Sequence, residues 1–124
     1  MASKRILIVD DELVVRSLMK DFFSCFDYQV ETASNGREAI WKFSPGEFDC
    51  IISDCVMPEM NGLELLESVR SRDKKVVFFL ITGAPDESWR NNSAPLGADA
   101  FIAKPFDISD VMGRVETAIL ARRA

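Results

Sequence analysis

The chain has 124 residues, with 15 Lys or Arg, 20 Asp or Glu and no His, for a net charge of −5. That length holds one domain with a substantial core and no second domain beside it. The acidic balance opposes unaided binding to nucleic acid or an anionic membrane surface, and the missing histidine removes Ser-His-Asp triads, histidine zinc sites and histidine acid–base work together.

At the N-terminus, Met1-Ala2-Ser3-Lys4 lacks the pattern of a secretory leader, and no run of eighteen apolar residues occurs, so a cytoplasmic protein without a membrane span is expected. Ile6-Leu7-Ile8-Val9 reads as a first strand that stops at Asp10-Asp11. Glu12 to about Phe26 follows as a helix, with Val15, Leu18, Met19, Phe22 and Phe23 on its inner stripe. Val30 to Ala33 alternates and is more polar, as an edge strand is, and Ser34-Asn35-Gly36 opens a short helix that carries Ala39, Ile40 and Phe43 and ends by Pro45-Gly46.

A third strand, Cys50-Ile51-Ile52-Ser53, runs into Asp54. The turn-rich Met57-Pro58-Glu59-Met60-Asn61-Gly62 then precedes a helix whose Leu63, Leu65, Leu66 and Val69 face inward. Val76 to Ile81 is the most apolar strand and belongs well inside the sheet; it ends at Thr82. From Pro85 to Pro95, with Asn91 and Asn92 between, the fourth helix is expected to be short or mobile, with Trp89 half-buried or in contact with a partner. Ala100-Phe101-Ile102-Ala103 is a fifth strand ending at Lys104, and the last helix runs from about Ile108 to Arg122 on Val111, Met112, Val115 and Ile119. Strand and helix thus alternate five times, which predicts a doubly wound (βα)5 flavodoxin-like α/β three-layer sandwich with parallel strand order 2-1-3-4-5, a single domain over 1–124. Cys25, Cys50 and Cys55 make no finger spacing and no even disulfide set, so each is expected as a reduced, buried, small hydrophobe.

In such a sheet the carboxyl ends of the strands share one edge, and the winding reverses between strands 1 and 3. Asp10, Asp11 and Asp54 end those two strands, and Thr82 and Lys104 end the next two. Alone, Asp10-Asp11 equally suits a helix start, Thr82 a β-branched strand end, and Lys104-Pro105 a surface lysine before a turn. Together the acids are harder to explain as packing, because two carboxylates about 4 Å apart repel by roughly 4 kcal/mol at an effective dielectric near 20. A divalent cation removes that cost, and hard oxygen ligands without His or thiolate favour Mg²⁺ over zinc. With Mg²⁺ present, Asp54 suits a phosphoryl-accepting nucleophile, with Lys104 and Thr82 each placed to hold a phosphoryl oxygen. A cis bond before Pro105 would aim the Lys104 amine inward.

These segments, residues 6 to 12, 53 to 62, 81 to 83 and 97 to 106, closely resemble in order and spacing the receiver domain of two-component response regulators. The resemblance implies that Asp54 accepts a phosphoryl group from a phosphohistidine on a sensor histidine kinase or histidine phosphotransfer protein. It implies Mg²⁺ held by Asp11, Asp54 and the backbone carbonyl of Val56, with Asp10 acting through water and Lys104 contacting the phosphoryl group. Thr82 would move toward the phosphate and Phe101 would be the switch aromatic, although the residues by themselves favour an ordinary edge-strand hydrophobe at 101. A downstream effector would meet the fourth helix, fifth strand and fifth helix, where a homodimer and a monomer fit equally. Cys55, Val56 and Ala84 stand at positions that in this family influence phosphate loss, and none orients an attacking water, which implies a long-lived phosphoryl state. Two other functions compete: a constitutive binding module that is never phosphorylated, and an aspartate-nucleophile phosphatase. The phosphatase lacks its usual second acid, since Val56 stands two residues past the nucleophile.

Overall fold

The computed structural model describes residues 4–83 and 87–123. Five parallel strands, β1 (Arg5–Val9), β2 (Gln29–Ala33), β3 (Cys50–Asp54), β4 (Val77–Thr82) and β5 (Ala100–Ala103), form one sheet in the order β2-β1-β3-β4-β5, as predicted. The helices are α1 (Leu13–Cys25), α2 (Gly36–Lys42), α3 (Gly62–Arg70), α4 (Glu87–Ser93) and α5 (Ile108–Arg123). Because successive side chains of a strand point to opposite faces, each apolar strand feeds two cores. Ile6, Ile8, Ile52, Phe79 and Ile81 pack with Met19 and Phe23 of α1 and Val111, Val115 and Ile119 of α5. Leu7, Val9, Ile51, Phe78 and Leu80 pack with Ala39 of α2, Leu65, Leu66 and Val69 of α3, and Trp89 of α4. β3 and β4 are buried along their whole length, which requires helices on both faces of the sheet, whereas the more polar β2 lies at the edge.

Local chemistry sets the element ends. Asn61 caps α3 by accepting the N–H of Glu64 at 2.9 Å while Glu64 accepts that of Asn61 at 3.0 Å, a reciprocal box. Asn35 caps α2 in the same sense, accepting from Glu38 at 2.8 Å. At the opposite edge from the strand tips, Arg70 donates to the carbonyls of Gly97 and Val76 and to Asp99, tying α3 to the entries of β4 and β5.

Two expectations are corrected. Leu18 does not face the core: it is 62% exposed, because residues 15, 19, 22 and 23 suffice to cover the sheet and position 18 falls on the rim of their stripe. Cys25 is exposed at the last turn of α1, whereas Cys50 and Cys55 are buried; all three are free thiols. α4 is short, as the weak helical signal implied, and Trp89 is half-buried against its core. Ala84 and Pro85 lie outside the described residues. No described helix is long and apolar enough to cross a membrane.

Candidate functional site

The parallel register carries the polar strand tips to one edge. Val9 pairs with Ser53, so Asp10 and Asp54 leave β1 and β3 side by side; Asp54 pairs with Ile81 and Thr82 with Ala103, which sets Thr82 and Lys104 next in line. A bond from the Lys104 N–H to the Thr82 carbonyl at 2.7 Å continues the ladder one step past β5. The Lys104–Pro105 bond is cis.

The Lys104 ammonium turns inward, which decides against a surface role. Its Nζ lies 3.1 Å from Asp10 Oδ2, 3.2 Å from Asp54 Oδ2 and 3.4 Å from Glu12 Oε1. Ligand oxygens of Asp10, Asp11, Glu12 and Asp54 all lie within 4.8 Å of one another. Three carboxylates therefore crowd one ammonium and that of Asp11 joins their cluster, with Asp10 and Asp54 buried and Asp11 and Glu12 exposed. Burial pushes the Asp10 carboxyl up from its ordinary value; the Glu12 N–H and Lys104 pull it down, the Asp54 charge adds to the rise, and the net is upward. Burial alone would lower the Lys104 ammonium, but its hydrogen bond to Asp10 and the charges of Asp10 and Asp54 outweigh that and raise it. It stays a cation at any physiological pH.

The backbone fixes the carboxylates. Asp10 Oδ1 accepts the Glu12 N–H at 2.9 Å, and Arg16 donates to the Asp10 carbonyl at 2.7 Å, so α1 holds the end of β1 from both sides. Asp54 Oδ1 accepts the Val56 N–H at 3.3 Å. Behind it, Cys55 donates to the Ile81 carbonyl at 2.8 Å and accepts from the Gly62 N–H at 2.8 Å, so β4 and α3 clamp the residue after Asp54. Burial, then the Asp54 charge, pushes the Cys55 thiol up to about 12, which leaves it un-ionised and a poor competitor of Asp54 as nucleophile. Thr82 is buried at the tip of β4. Phe101 lies apart from this cluster, opposite Leu80, packed with the α3 and α4 core and covered by the Arg90 guanidinium at 5.5 Å from its ring centre.

Of the residues singled out from sequence, Asp10, Asp54 and Lys104 are in direct contact and Asp11 joins their cluster. Glu12 was not among them. Its signal was only that it is the third acid of a run, which a helix start also explains. The donor set is all oxygen, without thiolate or imidazole, and an exposed Asp11 beside a buried pair leaves one side open for water, the arrangement that Mg²⁺ prefers.

The sequence pattern of the family described as response regulator receiver domain matches residues 6–116. The transcriptional regulatory protein SrrA of Staphylococcus aureus is 35% identical over 120 residues, which are 97% of this chain and 49% of that protein, so the chain spans about half the length of this curated relative. Among solved structures, a CheY-like receiver domain protein of Methanospirillum hungatei superimposes with a TM-score of 0.93 at 30% identity, covering 98% of this chain and 97% of the other. The response regulator TrrA of Thermotoga maritima, solved in complex with Mg²⁺-BeF, has a TM-score of 0.81 at 34% identity over 93% of this chain and 98% of its own.

Proposed function

As the chain belongs to the response regulator receiver domain family, a family of regulatory switches, we propose that it is a phosphorylation-controlled switch in a two-component relay whose acceptor is Asp54. The observation that carries this is the Lys104 ammonium shared between Asp10 Oδ2 at 3.1 Å and Asp54 Oδ2 at 3.2 Å inside an otherwise all-acidic cluster. The donor is a phosphohistidine on a sensor kinase or phosphotransfer protein. One Asp54 oxygen forms the new P–O bond as the P–N bond to imidazole breaks, and the departing imidazole keeps that electron pair and takes up a proton. The Val56 N–H holds Asp54 Oδ1, and Lys104 passes from Asp54 Oδ2 to a phosphoryl oxygen as charge moves outward. Thr82 binds a further oxygen. Asp11, Asp54 and the Val56 carbonyl are the residues that would hold Mg²⁺, with Asp10 behind them. When bound, that ion neutralises phosphoryl charge.

The exposed Leu18 of α1 lines one cavity with Glu12 and Lys104, and this apolar surface suits a protein-borne donor, which must bring its imidazole to bonding distance of Asp54. Phosphorylation then biases two packings of the segment after Thr82 and of the Phe101 ring, and the downstream effector reads the face of α4, β5 and α5. The test is labelling by a small phosphodonor in Mg²⁺: wild type takes up phosphate and Asp54→Asn does not. A well-folded wild type that takes up none under any donor concentration is a constitutive binding module instead.

A further inference from the structure

Glu12 occupies the N-cap of α1 with extended backbone, yet its side chain makes no capping bond, and Glu is a poor residue for that task. The carboxylate turns to Lys104 instead, at 3.4 Å. Three carboxylates thus hold one ammonium, and they differ in depth: the side chains of Asp10 and Asp54 are 0% and 8% exposed, that of Glu12 is 63% exposed. Glu12 is therefore the outermost charge on the ammonium that an incoming phosphoryl oxygen must claim. Both residues also line one cavity with the apolar Val15, Leu18, Phe22 and Phe106.

We propose that Glu12 sets donor specificity, its negative charge retarding small, strongly anionic phosphodonors and its grip on Lys104 delaying the release of that ammonium to the phosphoryl group. This rests on Asp54 being the acceptor. A protein-borne donor gains binding from the apolar surface around the cavity, which offsets the repulsion; a small donor meets the charge alone. A doubly charged donor one hydrogen bond beyond Lys104 feels Glu12 through solvent, where removing a unit charge is worth up to about tenfold in rate at low salt. Ionic screening reduces that to about twofold or less at 0.5 M salt, where the Debye length shrinks to a few ångströms.

The experiment compares Asp54 phosphorylation by acetyl phosphate with that by the less negatively charged phosphoramidate, in wild type, Glu12→Gln and Glu12→Asp, across ionic strength. Glu12→Gln should accelerate acetyl phosphate about threefold to tenfold at low salt, phosphoramidate less, with both gains shrinking as salt rises. Glu12→Asp keeps the charge but is one methylene shorter and suited to cap α1, so it gives up the grip on Lys104 and should fall between wild type and Glu12→Gln. In Mg²⁺-free protein, exchange of the Lys104 ammonium hydrogens with water, followed by NMR, should quicken in Glu12→Gln. A labelled wild type with Glu12→Gln unchanged or slower, or with equal gains for both donors at every salt concentration, overturns this role alone and leaves the acceptor reading intact. Failure of wild type to label at all overturns both.

Discussion

Gly62 opens α3 directly under the acceptor. A Cβ placed there would stand 2.5 Å from the Asp54 carbonyl oxygen, 2.7 Å from Leu80 Cδ2 and 2.9 Å from Cys55 Cα. Two of those three atoms are backbone, and Cys55 is held by the Ile81 carbonyl and the Gly62 N–H, so no rotamer change relieves the contact. Overpacking of this kind costs about 1–3 kcal/mol, here toward the upper end because backbone must shift. Alanine regains about 0.5–1 kcal/mol over glycine in a helix. Gly62→Ala should therefore lose about 2 kcal/mol net and melt about 8 °C below wild type for a domain of this size. The displaced atoms include the Asp54 backbone, so phosphorylation should slow more than tenfold at temperatures where the variant is fully folded, since misplacement on the order of 1 Å costs up to about a hundredfold. Gly113 in α5 is the control: a Cβ there meets nothing within 4 Å, and Gly113→Ala should stabilise by about 0.5–1 kcal/mol. Thermal melts followed by circular dichroism decide it. A Gly62→Ala variant melting within about 2 °C of wild type, the shift of only about 0.5 kcal/mol, would refute the claim that α3 and the acceptor loop are in contact without slack.

Mg²⁺ binds the folded cluster and not the unfolded chain, so a concentration about tenfold above its dissociation constant should add about 1.4 kcal/mol, or about 5 °C in Tm; no change in Tm at millimolar Mg²⁺ would tell against the ion. Phosphorylated Asp54 should persist well beyond seconds in purified protein with Mg²⁺, because buried Cys55 and the aliphatic Val56 offer nothing to orient water, and a half-life of seconds by radiolabel decay contradicts that. Asp73 accepts N–H groups from Lys75, Val76 and Gly46. Burial would raise its carboxyl, but those three bonds and the Arg70 charge outweigh it, and the net is below the ordinary value of 3.8. A lowered carboxyl stabilises fully above that ordinary value and loses its contribution as pH falls through the folded one. Urea midpoints should show Asp73→Asn about 0.5–1 kcal/mol less stable than wild type at pH 7, since solvent screens these bonds and the Asn oxygen keeps some of them, with the gap closing below pH 3.8; a gap constant with pH would refute the assignment.

The alternation of apolar strands with amphipathic helices, and the polar residue that ends each strand, lie wholly in the order of residues. Parallel strands must bury both faces and place their carboxyl ends together, so strand order and the gathering of Asp10, Asp54 and Lys104 follow from that order alone. The conflict of like charges made those acids legible as a site and not as helix caps.

What lay outside the sequence is whatever depends on three-dimensional distance. A helical period locates the centre of an inner stripe and not its width, which is why Leu18 fell outside the core. Asp10 and Asp11 are indistinguishable as letters, yet one step along the chain takes a carboxylate from buried to exposed. Glu12 reads as the start of a helix until Lys104, 92 residues away, is seen to hold it. Gly62 likewise reads as a turn residue until the backbone of Asp54 and Cys55 is found against it. Local pattern is set by neighbours in the chain, but depth, charge pairing and close backbone approach are set by residues that only packing brings together.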